Sequence, residues 1–426
     1  MHKQLNNRQF LIITLGFAIV LRLCLMPFFA HVDLFSEARR LFYVLDNGYY
    51  FDQTQRLLVY YIEMLFTAFS TLFINVSDGL FYLKDPTQST SDLVDYGFFL
   101  NDPNIYRHLF FFKLPYLLFD IATAIVIWRF IDKPEQKRIA LLIWLFNPIT
   151  IFATYIFGRF EVISLFFLAL TAYQLKYHRV FLASFIFALS LHCREINLLF
   201  APFFLLAIID FKDHVIKNAL ALGLSISIIA LTFALPAWLI QAAGGNLMLF
   251  IDPNNTAGSD AFQKMLSLGY YWFYPIIICL SALAIYAWEI GNKPHDQRFV
   301  ICGALAICIY FAFNVHSVHY AAWIVLFPIM AIQFNKNMVL PFIALSAIWV
   351  VMWLLKTDNG VFTLFLAAPL STDFIGTGHF PSYFNQYIAT DSLNLHQTIQ
   401  IVRSLFLVVM GFFAYRLISN KYNEKP

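Results

Sequence analysis

The sequence predicts an all-α polytopic membrane protein, because its charge is low and long apolar runs recur along it. Of its 426 residues 60% are hydrophobic and 12% are charged, whereas a soluble domain carries roughly 25% charged residues. Apolar runs of about 17 to 25 residues, the helix length needed to cross a hydrocarbon core of ~30 Å, recur along the chain, and several other runs are shorter, as tilted or incomplete crossings would be. About a dozen spans are predicted, at residues 10–30, 113–130, 139–157, 161–174, 180–192, 196–209, 215–241, 269–290, 299–313, 319–334, 338–355 and 399–417.

The distribution of basic residues predicts how these spans are oriented. The first run is too long for a signal peptide and lacks a small-residue cleavage site, so it is predicted to be a retained span. If the run 57–74 lies in the exoplasmic interface without crossing, the short basic connections and both termini share the cytoplasmic side. These connections are 132–138, 176–179, 210–218, 291–298 and 335–337. A single membrane domain (1–426) then has exoplasmic loops at 31–112, 242–268 and 356–398.

Composition and motifs exclude several other classes of function. The net charge of +3 gives no indication of a nucleic-acid partner. The sequence contains no GxSxG, HExxH, Walker or GxGxxG motif. The cysteines lie in or near apolar runs without a Cys-x-x-Cys pair, which predicts small core side chains and no disulfide or metal site. They are Cys24, Cys193, Cys279, Cys302 and Cys308.

Charged and histidine side chains gather at the predicted exoplasmic ends of the spans. The stretches are "HVDLFSEARR" with Asp33 and Glu37, "FGRFE" with Arg159 and Glu161, "HCRE" with His192 and Arg194, and "FNVHSVHY" with His316 and His319. Within the spans lie Arg22 and Asp120, and each would cost at least ~2.5–3.5 kcal/mol at membrane depth. We therefore predict that Asp120 is a structural partner of Arg22 or Lys113.

Each cluster also has a structural interpretation. Arg159–Glu161 and Arg194–Glu195 are compatible with tight turns where charge meets water. Asp33 and Glu37 are compatible with the N-cap and the first-turn acid of a loop helix. The pair His316 and His319 is compatible with interfacial histidines bonded to backbone or water. These alternatives stay open at the level of sequence.

Four stretches resemble the GT-C integral membrane glycosyltransferases, and most closely the catalytic subunit of GPI mannosyltransferase I. They are "FKLPYLLFDIATAIVIWRF", "LFNPITIFATYIFGRFEVISLFFLAL", "LHCREINLLFAPFFLL" and "FAFNVHSVHYAAWIVLFP". The residues that match are Lys113, Asp120, Asn147, Pro148, Gly158, Glu161, His192, Arg194, Pro202, Phe313, Asn314, Tyr320, Trp323 and Pro328. The resemblance covers 31–211 and 311–330. It is weak over 215–300 and over the last ninety residues.

The resemblance implies a GT-C-like helical bundle whose long first exoplasmic loop carries interfacial helices. It also implies an enzyme that moves a sugar, mannose by preference, from a polyprenyl-phosphate donor to a glycolipid or glycan hydroxyl. The family's first loop has Asp-x-Asp followed by an acidic position; here Asp33 is the implied catalytic carboxylate and Glu37 the alternative. Arg159 and Arg194 would bind the donor phosphate. Glu161, His192, His316 and His319 would contact substrate.

Several further expectations accompany this interpretation. No cofactor is required by the residues, and a divalent cation stays open, because one loop aspartate is a poor cage for it. Membrane lipid surrounds the chain, and an accessory subunit stays open. The expected location is the bacterial inner membrane, with the endoplasmic reticulum as the alternative. Rival functions are a transporter or flippase of a lipid-linked sugar, an oligosaccharide ligase or O-acyltransferase, and a non-catalytic partner subunit.

Overall fold

A computed structural model describes residues 6–31, 33–34, 41, 57–74, 100–210, 215–242, 273–313, 318–355, 367–376, 380–390 and 394–419. This part of the chain is built from helices and the turns between them. The α-helices are α1 Asn7–Leu25, α2 Leu57–Ser70, α3 Ile105–Phe130, α4 Pro134–Phe146, α5 Pro148–Ile151, α6 Glu161–Lys176, α7 Val180–Leu191, α8 Ala201–Ile208, α9 Val215–Ala242, α10 Phe273–Glu289, α11 His295–Phe313, α12 Trp323–Ala331, α13 Val339–Leu355, α14 Phe380–Tyr387 and α15 Leu395–Ser419. A π-helical turn, Phe152–Phe157, follows α5, and 3₁₀ turns cover Glu195–Phe200, Val318–Ala322, Lys336–Met338 and Thr372–Gly376.

Six helical segments in the described ranges are long and apolar enough to cross a membrane. They are Asn7–Leu25, Ile105–Phe130, Pro134–Phe157, Val215–Pro236, Lys336–Leu355 and Leu395–Ser419. Shorter apolar helices lie between them, at Leu57–Ser70, Val180–Leu191, Ile196–Ile208, Ile277–Glu289 and Tyr320–Ala331. The predicted all-α polytopic class agrees with this architecture.

Local chemistry explains where two of the predicted spans begin or break. Asn6 opens α1 with a capping box, because its side chain accepts from the Gln9 N–H and the Gln9 side chain accepts from the Asn6 N–H. Asn147 breaks the predicted span 139–157, because it has an extended backbone and precedes Pro148 at the first position of α5. Its side-chain oxygen caps the Ile149 N–H at 2.9 Å.

The core of the bundle surrounds α6, which packs against α3, α7, α11 and α12. Leu168, Ala169 and Ala172 of α6 are completely buried. Such a helix is apolar on every side, which is the pattern of a helix enclosed by neighbours.

The predicted burial of the cysteines is confirmed for Cys193, Cys302 and Cys308 and wrong for Cys24, which is exposed. The reason is that α1 contacts the bundle through a narrow stripe with helical spacing that contains Ala18 and Arg22. Cys24 lies off that stripe.

Asp120 of α3 lies in a buried polar network, and its predicted pairing with Arg22 is confirmed. The Arg22 Nε donates to Asp120 Oδ2 at 2.6 Å, and both side chains are fully buried. The Tyr155 hydroxyl donates to the same oxygen at 2.7 Å, and the Trp144 Nε1–H donates to Oδ1 at 2.7 Å. Both carboxylate oxygens are therefore hydrogen-bonded, as a buried charge requires.

Asp120→Asn should lower the free energy of unfolding by about 3 kcal/mol, since it leaves Arg22 as a buried charge without its counter-ion. An amide also presents N–H groups either to Arg22 or to Trp144, where only an acceptor fits. Tyr155→Phe, the matched control, keeps the buried ring and should cost only about 1 kcal/mol because it removes one hydrogen bond to Asp120. SDS-induced unfolding of the solubilised protein measures both losses. Equal losses for the two variants would contradict the dominant role of the ion pair.

The short basic connections meet at one end of the bundle. Asp132 bonds the Lys176 ammonium at 2.7 Å and the Gln333 amide at 2.7 Å, and the rings of His178 and His295 lie 5.2 Å apart. Further contacts join His295 and Arg298 to carbonyls of residues 206–209, Asn335 to Arg416, and Arg138 to Asn7. The described parts of these connections thus lie near one another, and the side of the membrane that they face stays a prediction.

Candidate functional site

Four charged side chains from three parts of the chain form a charge cluster at the other end of α6. Asp33 follows α1, Arg159 and Glu161 stand where the π-helical turn passes into α6, and Arg194 follows α7. Glu161 and Lys176 are the two ends of α6, about 22 Å apart at a rise of 1.5 Å per residue. The charge cluster and the basic connections therefore lie at opposite ends of the bundle.

Arg159 links the carboxylate of Asp33 to the buried part of the cluster. Its Nη1 donates to Asp33 Oδ2 at 2.9 Å, and its Nη2 lies 3.4 Å from Glu161 Oε1. The Arg194 Nη2 lies 3.5 Å from the same Glu161 oxygen. The two arginines are thus held next to each other by one carboxylate, and the four side chains contribute two positive and two negative charges.

Two aromatic rings contact both guanidinium groups. The Arg159 Cζ lies 5.0 Å from the centre of the Phe160 ring, and the Arg194 Cζ lies 5.3 Å from it. The ring centre of Tyr320, in the 3₁₀ turn before α12, is 5.8 Å from Arg159 and 5.5 Å from Arg194. Cation–π contacts at this range stabilise a guanidinium away from bulk water. The rings therefore keep the arginines adjacent, although like charges repel.

Exposure changes sharply across the charge cluster. The Asp33 side chain is 37% exposed, whereas the side chains of Arg159 and Glu161 are 5% and 1% exposed. Asp33 is thus the carboxylate that a solute can reach. Arg159 and Glu161 lie behind it in a region of lower dielectric, where their charges act more strongly on a bound ion.

His31 fixes the backbone beside Asp33. The His31 ring stacks on the Phe157 ring with centroids 3.8 Å apart. The backbone N–H of His31 donates to the Phe157 carbonyl at 3.1 Å. Its Nδ1 accepts from the Asp33 N–H at 3.1 Å. The same ring nitrogen lies 3.3 Å from Asp33 Oδ1, so His31 contacts both the backbone and the carboxylate of Asp33.

Gly158 permits the close approach of these two segments. Its φ of +89° lies in the left-handed region that glycine adopts without strain. A Cβ on this residue would lie 3.0 Å from the Leu34 side chain and 3.4 Å from Lys113 Cε. A larger residue here would separate the segment of Asp33 from that of Arg159.

The structure brings some of the predicted site residues together, places one elsewhere and does not describe the others. Asp33, Arg159, Glu161 and Arg194 come together, whereas the His192 Nε2 is bonded to the Thr232 carbonyl of α9 at 2.9 Å. The carbonyl of His192 accepts from Leu58 N–H, so His192 also connects α7 with the first turn of α2. Glu37 and His316 lie outside the described residues, and for His319 only the backbone in Val318–Ala322 is described. Their roles stay predictions.

The sequence did not single out His31, Phe160 or Lys113 as parts of the site. His31 and Phe160 stand inside the quoted stretches "HVDLFSEARR" and "FGRFE", so aromatic residues next to paired charges were the available signal. The Lys113 ammonium donates to the carbonyls of Met26, Phe29 and Tyr155. No sequence pattern indicates that contact.

In the part of the chain that the structure describes, no three His, Cys, Asp or Glu side chains come together as a metal site. The charge cluster itself consists of ionic and hydrogen-bonding groups. Its guanidinium groups suit a phosphate or a carboxylate, and Asp33 suits a proton acceptor.

The helices and the charge cluster define the class of the molecule as a polytopic, all-α membrane protein with a buried arginine–carboxylate site at one end. No model of a known protein family matches the chain, and no curated protein matches it.

Proposed function

We propose that the chain is a GT-C-type glycosyltransferase that moves a sugar, mannose by preference, from a polyprenyl-phosphate donor to an acceptor hydroxyl. The observation that carries this proposal is the direct contact between an accessible carboxylate and a buried arginine, Asp33 with Arg159 at 2.9 Å. Sugar transfer from a lipid phosphate needs both groups side by side. One takes a proton from the acceptor, and the other receives the charge of the leaving phosphate.

The reaction is a single displacement with inversion at the anomeric carbon. The acceptor hydroxyl loses its proton to the Asp33 carboxylate as its oxygen bonds to that carbon. The bond from the anomeric carbon to the phosphate oxygen breaks with its electron pair, and polyprenyl phosphate departs as a monoester. The negative charge of the phosphate group increases by one unit in this step. Arg159 and Arg194 therefore stabilise the transition state more than the bound donor.

Glu161 acts on the reaction through the arginines. It contacts both of them through one oxygen and is 1% exposed, so it holds two like charges within reach of one phosphate. A guanidinium carries five N–H donors in a planar fork, which allows it to contact a carboxylate and a phosphate together. The pairing with Glu161 thus sets the direction in which each fork points.

An aromatic wall beside the site suits the polyprenyl chain. The ring of Phe157, stacked on His31, lies 6.0 Å from that of Phe152. Phe152 in turn lies 5.5 Å from Trp349 and 4.8 Å from Trp353 of α13. Phe152, Phe157 and Trp349 are at most 2% exposed, so the tail of a donor held by its phosphate would contact this wall at the partly exposed Trp353.

The number of membrane crossings, their orientation and the location of the protein are part of the same proposal. About a dozen crossings would arise if the shorter apolar helices also span, in tilted or incomplete form. The basic connections would face the cytoplasm by the positive-inside rule, which puts the charge cluster on the exoplasmic side. The bacterial inner membrane is the proposed location. A glycolipid or glycan is the proposed acceptor.

A liposome assay separates this proposal from its main rival. Purified protein in liposomes receives labelled polyprenyl-phosphate-mannose and a mixture of glycolipid acceptors. A new glycosidic product that is absent from protein-free liposomes supports sugar transfer. Movement of the intact donor between leaflets, with no product, would instead identify a lipid-linked sugar flippase.

A further inference from the structure

The ammonium group of Lys113 joins two segments of the chain from within the bundle. Lys113 is fully buried on α3, and its Nζ donates to the carbonyls of Met26 at 3.0 Å, Tyr155 at 2.8 Å and Phe29. An ammonium has three N–H groups, and three carbonyls receive them. The three carbonyl oxygens therefore match the number of N–H groups that an ammonium can donate.

These carbonyls belong to the two segments that carry the charge cluster. Phe29 stands four residues before Asp33, and Tyr155 stands four residues before Arg159. Met26 closes α1, where terminal carbonyls lack partners within the helix. One side chain thus satisfies carbonyls at the ends of α1 and of the π-helical turn, and it holds those ends next to each other.

The junction above Lys113 is closely packed. Gly158 lies between Leu34 and the Lys113 stem, so that even one added carbon would contact both. Beyond it the Asp33 carboxylate meets the Arg159 guanidinium at 2.9 Å. Few covalent bonds and close contacts separate the three carbonyls that bond Lys113 from the Asp33–Arg159 pair. A displacement of these carbonyls therefore changes the distance between the Asp33 carboxylate and the Arg159 guanidinium.

We infer that Lys113 is a positioning residue for sugar transfer: it sets the distance between Asp33 and Arg159 without touching substrate. This inference rests on the proposed function. It assigns to a buried lysine of α3 a task distinct from that of the neighbouring Arg22–Asp120 pair, which joins α1 and α3 within the bundle.

Lys113→Met should lower kcat by about 100-fold, the effect of a misplacement of about 1 Å. The donor KM should change by less than about threefold, since both phosphate-binding arginines remain and ground-state binding is retained. Steady-state kinetics in liposomes with labelled polyprenyl-phosphate-mannose measure both constants. A variant with wild-type kcat, or one whose loss lies entirely in the donor KM, would overturn the inference.

Arg298→Met is the matched control, because Arg298 is also a buried cation on backbone carbonyls. It donates to the carbonyls of Leu206 and Ile209 at the far end of α8 from Arg194. Its replacement should lower the thermal midpoint while kcat stays within about twofold of the wild type. An equal loss of kcat in both variants would show that Lys113 acts only through general stability.

Hydrogen exchange tests the inference without the reaction. Lys113→Met should raise amide exchange in peptides covering 26–34 and 152–161, because local opening replaces the lost contacts. Peptides within 134–146 and 163–176 should keep wild-type exchange. A rise across the whole bundle would contradict a positioning role. Hydrogen exchange tests the contacts of Lys113 even if the wild-type protein forms no glycoside. The absence of a glycoside would overturn the proposed function alone.

Lys113→Arg covers the case in which the methionine variant does not fold. It keeps a buried charge, but a planar guanidinium does not match three carbonyls converging on one nitrogen. We expect a folded protein whose kcat is at least about tenfold lower, in line with geometry-dependent catalysis. Wild-type kcat in this variant would overturn the inference.

Discussion

Asp33→Asn should lower kcat for sugar transfer by at least about 10³-fold, in the range that general-base catalysis contributes. The amide has the shape of the carboxylate, and its oxygen can still accept from Arg159, but it does not take up the acceptor proton. The protein should remain folded, because Asp33 is the exposed end of the charge cluster and the buried contacts of Glu161 persist. Transfer from labelled lipid-phosphate-mannose in membranes, normalised to folded protein on size exclusion, measures the effect.

Glu37→Gln is the companion experiment, since Glu37 is the second candidate for the base. The proposal expects Glu37→Gln to keep transfer within about tenfold of the wild type, as for a residue that does not move the proton. A wild-type rate in Asp33→Asn together with an inactive Glu37→Gln would move the base to Glu37. Wild-type rates in both variants would remove carboxylate catalysis from the proposal.

The all-α class and the positions of several helices could be predicted, because long apolar helices leave a clear signal in local composition. The predicted span 161–174 corresponds to α6, Glu161–Lys176, and the run 215–241 to α9, Val215–Ala242. Hydropathy does not detect a change of backbone conformation within an apolar run. It missed the break at Asn147–Pro148, and it gave one span at 196–209 where a 3₁₀ turn, Glu195–Phe200, precedes α8.

The charge cluster could be predicted only in part, for a physical reason. Charges at the ends of apolar runs are visible in sequence, because burial of charge within a span is costly. The contact between Asp33 and Arg159 joins residues 126 positions apart, and only packing of the helices decides such a contact. For the same reason the bond from His192 to Thr232 was not foreseen, although His192 stands two residues before Arg194.

Arg22 of α1 and Lys113 of α3 show which buried contacts a sequence can predict and which it cannot. Arg22 and Asp120 are opposite charges within two apolar runs, so electrostatics predicted that Asp120 pairs with Arg22 or Lys113, and the structure pairs it with Arg22. Lys113 bonds backbone carbonyls, which every residue has, and sequence therefore carries no mark of its partners. The groups that set the geometry of the site are in this case less predictable than the groups proposed to perform its chemistry.

Arg194→Met should raise the KM for the lipid-phosphate donor on the order of 10- to 100-fold, the equivalent of one lost charged hydrogen bond of ~1.5–3 kcal/mol. The value of kcat should fall as well, because the leaving phosphate gains charge in the transition state. Arg159→Met should produce a similar loss. Arg179→Met replaces an exposed arginine at the opposite end of α6 and should leave both constants unchanged.

The combination of the two arginine variants shows whether they act on one phosphate. Every member of this cycle, the reference included, carries Glu161→Gln, because a buried glutamate without either arginine would cost about 3–5 kcal/mol of stability. If Arg159 and Arg194 share one phosphate, the combined loss in donor kcat/KM should differ from the sum of the single losses by at least about 0.5 kcal/mol. Unchanged donor affinity in Arg194→Met, measured by equilibrium binding of lipid phosphate, would remove Arg194 from the phosphate site. Strictly additive losses would instead assign the two guanidiniums to different parts of the donor, one to the phosphate and the other to the sugar.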